Sequence, residues 1–315
     1  MTVHVLPALG AKVRAAAHPA ADACRCVPGV SVLADRPDGT VVRHGGTVAK
    51  AHAADTDPVD LAARMAVAAH PRLDGILLAP LASGAVDLEG RPVTYWPYGI
   101  PVDRDDPDAA PWEAAAGLLA RLHRTPDSVL PSGLPAMRGP VKAARAVARL
   151  RAAGPHPAAA PVLRAWAVLP AWARGEAAMP DTRTLCHGDL HLGQLVRMPD
   201  GDWLLIDIDD LGRGDPAWDL ARPAAWFACG LLPAEEWTRF LAAYRKAGGP
   251  AVPADADPWP ALDVPARALA AQTAALAIVK SAAHERPLDE VEQSVIDACD
   301  RMAAIPPELP KGRAT

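Results

Sequence analysis

One interruption constrains what the C-terminal part of this chain can become. Between stretches that read as helix lie two short apolar runs, Gln194 to Met198 and Trp203 to Ile208, joined by Pro199-Asp200-Gly201-Asp202. Runs of that length, bounded by Pro, Asp and Gly, form a two-stranded hairpin rather than a helix. Chemistry-bearing residues bracket it. His187-Gly188-Asp189-Leu190-His191-Leu192-Gly193-Gln194 leads in, Asp207 follows the apolar Leu204-Leu205-Ile206, and Gly214-Asp215-Pro216-Ala217-Trp218-Asp219-Leu220-Ala221 leads out.

A carboxylate, an amide and a second carboxylate at this spacing suit phosphoryl transfer. In that reaction the protein must orient a hydroxyl nucleophile, hold a divalent metal against the triphosphate and offset developing charge. Asp189 suits the first task. The side-chain oxygen of Gln194 and the carboxylate of Asp207 can converge on one Mg²⁺ if residues 195 to 206 form the hairpin.

Upstream, Val30 to Ala34, Thr40 to His44 and Thr47 to Ala51 read as three short strands separated by the turn signals Pro37-Asp38-Gly39 and Gly45-Gly46. Asp57-Pro58 supplies an N-cap and a first-turn proline for a helix through about Ala69. Two further strands are predicted at Gly75 to Ala79 and Pro92 to Trp96, joined by a loop containing Gly84, Asp87 and Gly90. From Trp112 the period changes: Ala115, Leu118, Leu119 and Leu122 recur at helical spacing until Thr125-Pro126 stops the run. Further helices are predicted at 141 to 153, 160 to 176, Asp219 to Leu231, Pro233 to Ala247, Val264 to Ala283 and Leu288 to Met302. The segment before residue 30 is weakly patterned. The fold class is therefore α+β, with a small antiparallel-sheet lobe over residues 1–98 and a larger, mostly helical lobe over 99–315.

Composition narrows the functional classes. A chain of 315 residues, half of them apolar, can bury a sizeable core. A net charge of -5 argues against a nucleic-acid partner held by a broad basic surface. Cys24, Cys26, Cys186, Cys229 and Cys299 are scattered without metal-site spacing, which predicts reduced thiols and no structural disulfide. Met1 to Asp22 lacks a basic segment followed by an apolar core, and no stretch approaches the ~18 apolar residues of a spanning helix. The expectation is a cytoplasmic protein with no membrane partner.

The pattern around the hairpin resembles the catalytic core of the aminoglycoside phosphotransferase and choline kinase superfamily. Members carry H-G-D-x-x-x-x-N, then I-D on the next hairpin, then G-D-P-x-x-D-L-A opening a helix; here each element stands except the Asn, replaced by Gln194. The resemblance covers roughly residues 30 to 305 and is specific over 185 to 222. It implies a protein-kinase-like, two-lobed fold and transfer of the γ-phosphate of ATP or GTP, with Mg²⁺, to a hydroxyl of a small molecule.

The resemblance also assigns roles. Lys50 is the strand lysine that holds the α and β phosphates, and Asp60 is the nearest candidate on the following helix to pair with it; Asp60 reads equally as a first-turn carboxylate favoured by the helix dipole. Gly39 and Thr40 lie in the phosphate-covering turn, which lacks a multi-glycine signature. Trp96 and Tyr98 contribute backbone groups to the nucleotide base. Asp189 is the general base or the group orienting the acceptor, Gln194 and Asp207 are the metal ligands, and His187 and Asp219 support the loop. His191 is left open, as a residue that could line the substrate mouth. Asp209 and Asp210 share the metal ligand's cluster, and Asp215 reads as an N-cap. Lys142, Arg145 and Arg149 form a helical stripe that reads as a solvated face or as a contact to an anionic substrate group. The acidic residues Asp289, Glu290, Glu292 and Asp297 face either water or a cationic acceptor.

Other classes fit less of the chain. His187, Asp189 and His191 with Asp207 and Asp209 resemble a metallohydrolase cluster, but that reading leaves Lys50 and the sheet unused. A glycosyltransferase would need a long parallel α/β pattern, which is missing. A nucleotide-binding module without turnover accommodates Gln194 and the short phosphate turn. Among acceptors, an antibiotic is the first expectation and a choline- or sugar-like metabolite the second. Oligomeric state and the choice between ATP and GTP are not legible.

Overall fold

The computed structural model describes residues 5–19, 29–36, 38–103, 105–180 and 183–305, and they group into two compact units. The first takes residues up to 109 together with 128–135 and 193–209; the second takes 110–127, 136–192 and the residues from 210 onward. Pro37 of the expected first turn, together with Cys24 and Cys26, lies outside the described residues.

The first unit opens with a helix that sequence patterning missed, α1 (Val5–Ala17). Its Val5, Leu9 and Val13 fall on one face and are buried with Val42, Ala49, Ala51 and Val93 of the sheet. The strands β1 (Ser31–Arg36), β2 (Gly39–His44) and β3 (Thr47–His52) form the expected antiparallel meander. Next comes α2 (Pro58–Ala68), capped as anticipated: the Asp57 carboxylate accepts the amides of Val59 and Asp60. The sheet is completed by β4 (Val86–Leu88) and β5 (Arg91–Pro97), in the order β1-β2-β3-β5-β4.

The strand expected at 75 to 79 is therefore not part of this sheet. Ile76, Leu77 and Leu78 are buried, which explains their apolar character, but Leu77 makes only an isolated parallel bridge to Leu205. The partner of β5 comes instead from the loop holding Asp87 and Gly90. A two-residue strand, β6 (Ile100–Pro101), follows.

The second unit begins with α3 (Trp112–His123), which ends ahead of Thr125-Pro126 as its sequence requires. It continues with α4 (Gly139–Ala152) and α5 (Ala159–Ala167). The latter stops well before residue 176; Leu169 precedes Pro170, whose ring disfavours helical backbone in the residue before it. After β7 (Thr184–Cys186) the chain supplies the hairpin to the first unit. Its strands are β8 (Leu195–Arg197) and β9 (Trp203–Leu205), in register Leu195 to Leu205, Val196 to Leu204 and Arg197 to Trp203, with β6 on the other edge of β8. The turn closes through Met198 N–H on the Asp202 carbonyl at 2.8 Å and the Asp202 amide on the Asp200 carboxylate at 3.1 Å.

Back in the second unit, β10 (Gly212–Gly214) pairs with β7. A 3₁₀ turn over Pro216–Trp218, capped by Asp215, precedes α6 (Ala221–Ala228). Three more helices follow: α7 (Ala234–Lys246), α8 (Trp259–Ala283) and α9 (Glu290–Ala303), the last opened by a capping box between Asp289 and Glu292. The central helix is α8, packed by α4, α5, α6 and α9; its buried Ala268, Ala271, Ala274 and Ala275 allow close approach. Contrary to the sequence expectation, α8 is long and apolar enough to cross a membrane, but 78% of its most apolar window is buried inside the protein, which accounts for that composition.

Candidate active site

In the first unit the site is built on β3 and the residues following β9. Alternation along β3 puts Lys50 and His52 on the same face. Lys50 Nζ lies 2.6 Å from Asp207 Oδ1 and 3.0 Å from Asp209 Oδ2. His52 Nδ1 is 2.9 Å from Asp209 Oδ1, and its Nε2 meets the Thr94 hydroxyl at 2.8 Å. Burial alone would pull the Lys50 ammonium down, but Asp207 and Asp209 outweigh it and hold the group above its ordinary value. The same balance runs the other way at Asp209: burial pushes the carboxyl up, and Lys50 and His52 hold it well below the usual range.

Asp207 has a left-handed backbone, φ 66°. For a non-glycine residue that conformation costs about 1–2 kcal/mol, and it is supported here by Lys50 and by the Asp209 amide, which donates to Asp207 Oδ1 at 3.2 Å. Gln194 sits beside this turn, its carbonyl accepting the Ile206 amide at 2.9 Å. Its side-chain amide is buried and, among the described residues, makes no side-chain hydrogen bond; Asp207 Oδ2 also takes none. Two unspent hard oxygen donors, one anionic, fit Mg²⁺ chemistry.

The remaining first-unit candidates stand differently. Asp60 is not the partner of Lys50; it is an exposed first-turn residue of α2 with Arg64 at 3.9 Å, so the helix-terminus reading is the one its environment matches. Gly39 packs on the lysine: a Cβ there would lie 3.6 Å from Lys50 Cε. Thr40 is buried, its hydroxyl donating to Asp35 at 3.0 Å, so that hydroxyl is spent inside the protein. The Trp96 backbone pairs with Val48 in the sheet and its indole N–H donates to Thr94 at 2.9 Å. The Tyr98 amide donates to the Gly46 carbonyl at 2.8 Å, and the Arg43 guanidinium covers its ring at 3.3 Å. Both backbones expected to meet a nucleotide base are engaged in the protein, that of Trp96 with Val48 and that of Tyr98 through its amide.

In the second unit Asp189 follows a glycine with no room for a side chain. Gly188 has φ 85°, and a Cβ there would lie 2.3 Å from the Asp210 carbonyl oxygen. The loop is braced from below by Asp219, which is fully buried: Oδ1 accepts the Gly188 amide at 2.7 Å and Oδ2 the His187 amide at 2.6 Å. His123 Nε2 lies 3.0 Å from Asp219 Oδ2, and Nδ1 lies 2.8 Å from the Tyr244 hydroxyl. His187 and Asp219 are thus brought together, through the histidine's backbone.

Two cations grip Asp189. Lys142 Nζ from α4 is 2.7 Å from Oδ2, and Arg222 Nη2 from α6 is 2.8 Å from Oδ1. Lys142 also reaches Asp210 Oδ2 at 2.7 Å, and Arg138 Nε lies 3.3 Å from Asp210 Oδ1. Burial pushes the Asp189 carboxyl up, but Lys142 and Arg222, aided by His191, hold it below the ordinary range. At Asp210 burial prevails and the shift is upward. Neither Lys142 nor Arg222 was singled out by sequence as an Asp189 partner. The cationic stripe on α4 was the available signal: Lys142 turns inward while Arg145 and Arg149 are exposed. His191 lines a small recess with Trp112, Leu190, Leu192, Arg222 and Trp226.

A metallohydrolase grouping receives no support from geometry. Among the described residues, the His/Cys/Asp set close enough to share an ion is His123, Cys186 and Asp219, whose carboxylate is already occupied by two amides and an imidazole.

A five-stranded antiparallel sheet carrying a partly buried lysine, a mostly helical unit carrying a braced Gly-Asp loop, and a hairpin ending in an acidic turn define a protein of the protein-kinase-like class. Residues 40–262 match the model of the phosphotransferase enzyme family, known as APH. The chain belongs to that family and is a phosphotransferase. Solved structures share its fold. A choline/ethanolamine kinase family protein from Mesorhizobium loti aligns at TM-score 0.57 and 17% identity, covering 94% of each chain. A thermostable mutant of aminoglycoside phosphotransferase APH(4)-Ia, in ternary complex with AMP-PNP and hygromycin B, aligns at TM-score 0.56 and 14% identity over 88% of this chain and 94% of that one. A macrolide 2'-phosphotransferase type I aligns at TM-score 0.52 and 18% identity over 97% and 99%. No curated protein sequence matches the chain.

Proposed function

We propose that the protein transfers the γ-phosphate of ATP or GTP to a hydroxyl of a small molecule, and that the acceptor is an antibiotic. The observation that carries the reading is the 2.6 Å pairing of Lys50 with Asp207, residues 157 positions apart that phosphoryl transfer requires on one nucleotide. Lys50 holds the α and β phosphates once nucleotide draws it from Asp207 and Asp209. Asp207 and Gln194 hold Mg²⁺, which when bound neutralises charge on the phosphates. Gly39 lets the backbone approach the phosphates above the Lys50 stem, and Trp96 and Tyr98 contribute backbone groups to the base. Asp189 orients the acceptor hydroxyl. A carboxyl held below its ordinary range is a weak base, so alignment of the hydroxyl, with its proton leaving late, is the role this environment favours.

The antibiotic assignment draws support from the Gly-Asp-Pro and His-Gly-Asp-Leu-His forms of the motifs and from the hygromycin B complex of the APH(4)-Ia relative. A metabolic kinase is the alternative acceptor class. The buried thiols of Cys229 and Cys299 favour a cytoplasmic location, where nucleotide is also available.

The test has two stages. Mg²⁺ with ATP or GTP should raise the melting temperature, because a ligand of the folded state stabilises it. Mass spectrometry of an acceptor panel should then find one added phosphate, lost in Asp189→Asn with nucleotide binding kept. Full activity in Asp189→Asn would overturn the role of that residue. Nucleotide binding without transfer to any acceptor would favour a silent nucleotide-binding module, the reading that Gln194 in place of Asn suggests.

A further inference from the structure

We propose that Lys142 is a positioning residue for the transfer: by tying the Asp189 carboxylate to Asp210, it fixes the lone pairs that receive the acceptor hydroxyl. The inference rests on the reading of Asp189 as the group that orients that hydroxyl.

The geometry supplies the argument. A carboxylate has about four lone-pair sites. Lys142 takes one on Oδ2 and Arg222 one on Oδ1, which leaves each oxygen one position and forbids rotation of the group without loss of both contacts. The two cations are not equivalent. Arg222, on α6, also donates to the Leu190 carbonyl at 3.0 Å, so its second contact is spent on the backbone of the Asp189 loop itself. Lys142 instead comes from α4, whose Ala143, Ala146, Val147 and Leu150 are buried in the helical core, so it references the carboxylate to the body of the unit.

The second acceptor of Lys142, Asp210, makes that reference rigid. An ammonium has three donors in tetrahedral array, and two of them are spent at 2.7 Å on different carboxylates, one on each side of Gly188 and its close approach to the Asp210 carbonyl. One donor is left for an oxygen of the incoming substrate. The charged groups facing Asp189 are Lys142 from α4, Arg222 from α6 and His191 from its own loop; Asp210 faces it across Lys142 and is attended by Arg138. Removing Lys142 leaves one of two direct cations and exposes Asp189 to the field of Asp210.

The test uses the full-length protein as wild type, Lys142→Met, Lys142→Arg and Asp189→Asn. The kinetic probe is Mg·ATP with water as the acceptor, followed as ADP release from pH 5 to 9. Lys142→Met should lower kcat by tenfold or more, with KM for Mg·ATP within about twofold of wild type, and Lys142→Arg should recover most of the loss. Carbon-13 NMR of aspartate-labelled protein, with the Asp189 carboxyl assigned by its loss in Asp189→Asn, should show its titration midpoint rising by about one pH unit or more in Lys142→Met and little in Lys142→Arg. A purely structural lysine would change melting temperature without this split or this midpoint. An unmoved midpoint, or unchanged kcat, overturns the inference; if Lys142→Met does not fold, the same two readouts in Lys142→Gln decide it. Full ATP turnover in Asp189→Asn would instead bring down the reading of Asp189 itself.

Discussion

Asp219 carries a prediction whose size follows from its contacts. Asp219→Asn keeps the volume of the side chain while removing its charge and replacing one acceptor oxygen by a donor nitrogen. In the native structure the carboxylate accepts two backbone amides, at 2.6 and 2.7 Å, and sits 3.0 Å from His123 Nε2, with no solvent to substitute. Hydrogen bonds to a charged group contribute about 1.5–3 kcal/mol each against about 0.5–1.5 for neutral ones, and a buried donor left without a partner costs about 1–3 kcal/mol. The carboxamide retains one of the two amides and faces the other with an N–H, so one donor is orphaned and the surviving bonds weaken. The sum is about 3–5 kcal/mol, the range for breaking a buried charge interaction. At roughly 2–4 °C per kcal/mol for a unit of this size, the melting temperature should fall by about 10 °C, read by calorimetry or by circular dichroism at 222 nm. Because the lost bonds hold the backbone of residues 187 and 188, turnover should fall along with stability. A loss below about 1 kcal/mol would refute the claim that this carboxylate supports the loop.

Other expectations follow from the same geometry. Gly188→Ala forces a Cβ to within 2.3 Å of the Asp210 carbonyl on a backbone with φ 85°, so urea denaturation should show a loss of about 2 kcal/mol or more and the loop should shift. Lys50→Met leaves Asp207 and Asp209 without their shared cation; Mg·ATP affinity should drop at least tenfold by calorimetric titration. Asp189 and Asp209 are both held below the ordinary carboxylate range, so the stability they contribute is present above about pH 4 and is lost as pH falls through their folded values; Asp210, shifted upward, acts in the opposite sense. Urea midpoints should therefore drop as pH falls below about 4, and Asp209→Asn should flatten that drop. Chelation of divalent metal should abolish phosphate transfer while leaving the circular dichroism spectrum unchanged, since both cores are packed from apolar side chains.

Legibility in the sequence tracked the range of the interactions involved. The cap at Asp57, the turn at Pro199 to Asp202 and the stop at Thr125-Pro126 are local, and each element was found within a few residues of its place. α1 was missed because Pro7 and Gly10 interrupt its pattern and its buried face contains only Val5, Leu9 and Val13 with Gly10. The run at 75 to 79 was misassigned because burial and strand pairing produce the same apolar signal. Within the site, motif spacing singled out Asp189, Asp207 and Asp219, but not the cations that attend Asp189. Lys142 and Arg222 meet it across 47 and 33 residues, a pairing set by helix packing whose local trace is confined to the cationic stripe on α4. Asp60 is the acid on the helix that follows Lys50, whereas the acids that meet the lysine lie beyond residue 200.

The division of the hairpin from its flanks has a consequence for biogenesis. The first unit is not a continuous segment: residues 193–209 leave the ribosome only after the chain from 110 to 127 and from 136 to 192 has been made. At a translation rate of about 5–20 residues per second, the rest of the first unit waits on the order of ten seconds for β8 and β9. During that interval Ile76, Leu77 and Leu78, buried in the finished protein, lack the β9 backbone they pair with, so the core of this unit closes only after residue 205 has been made.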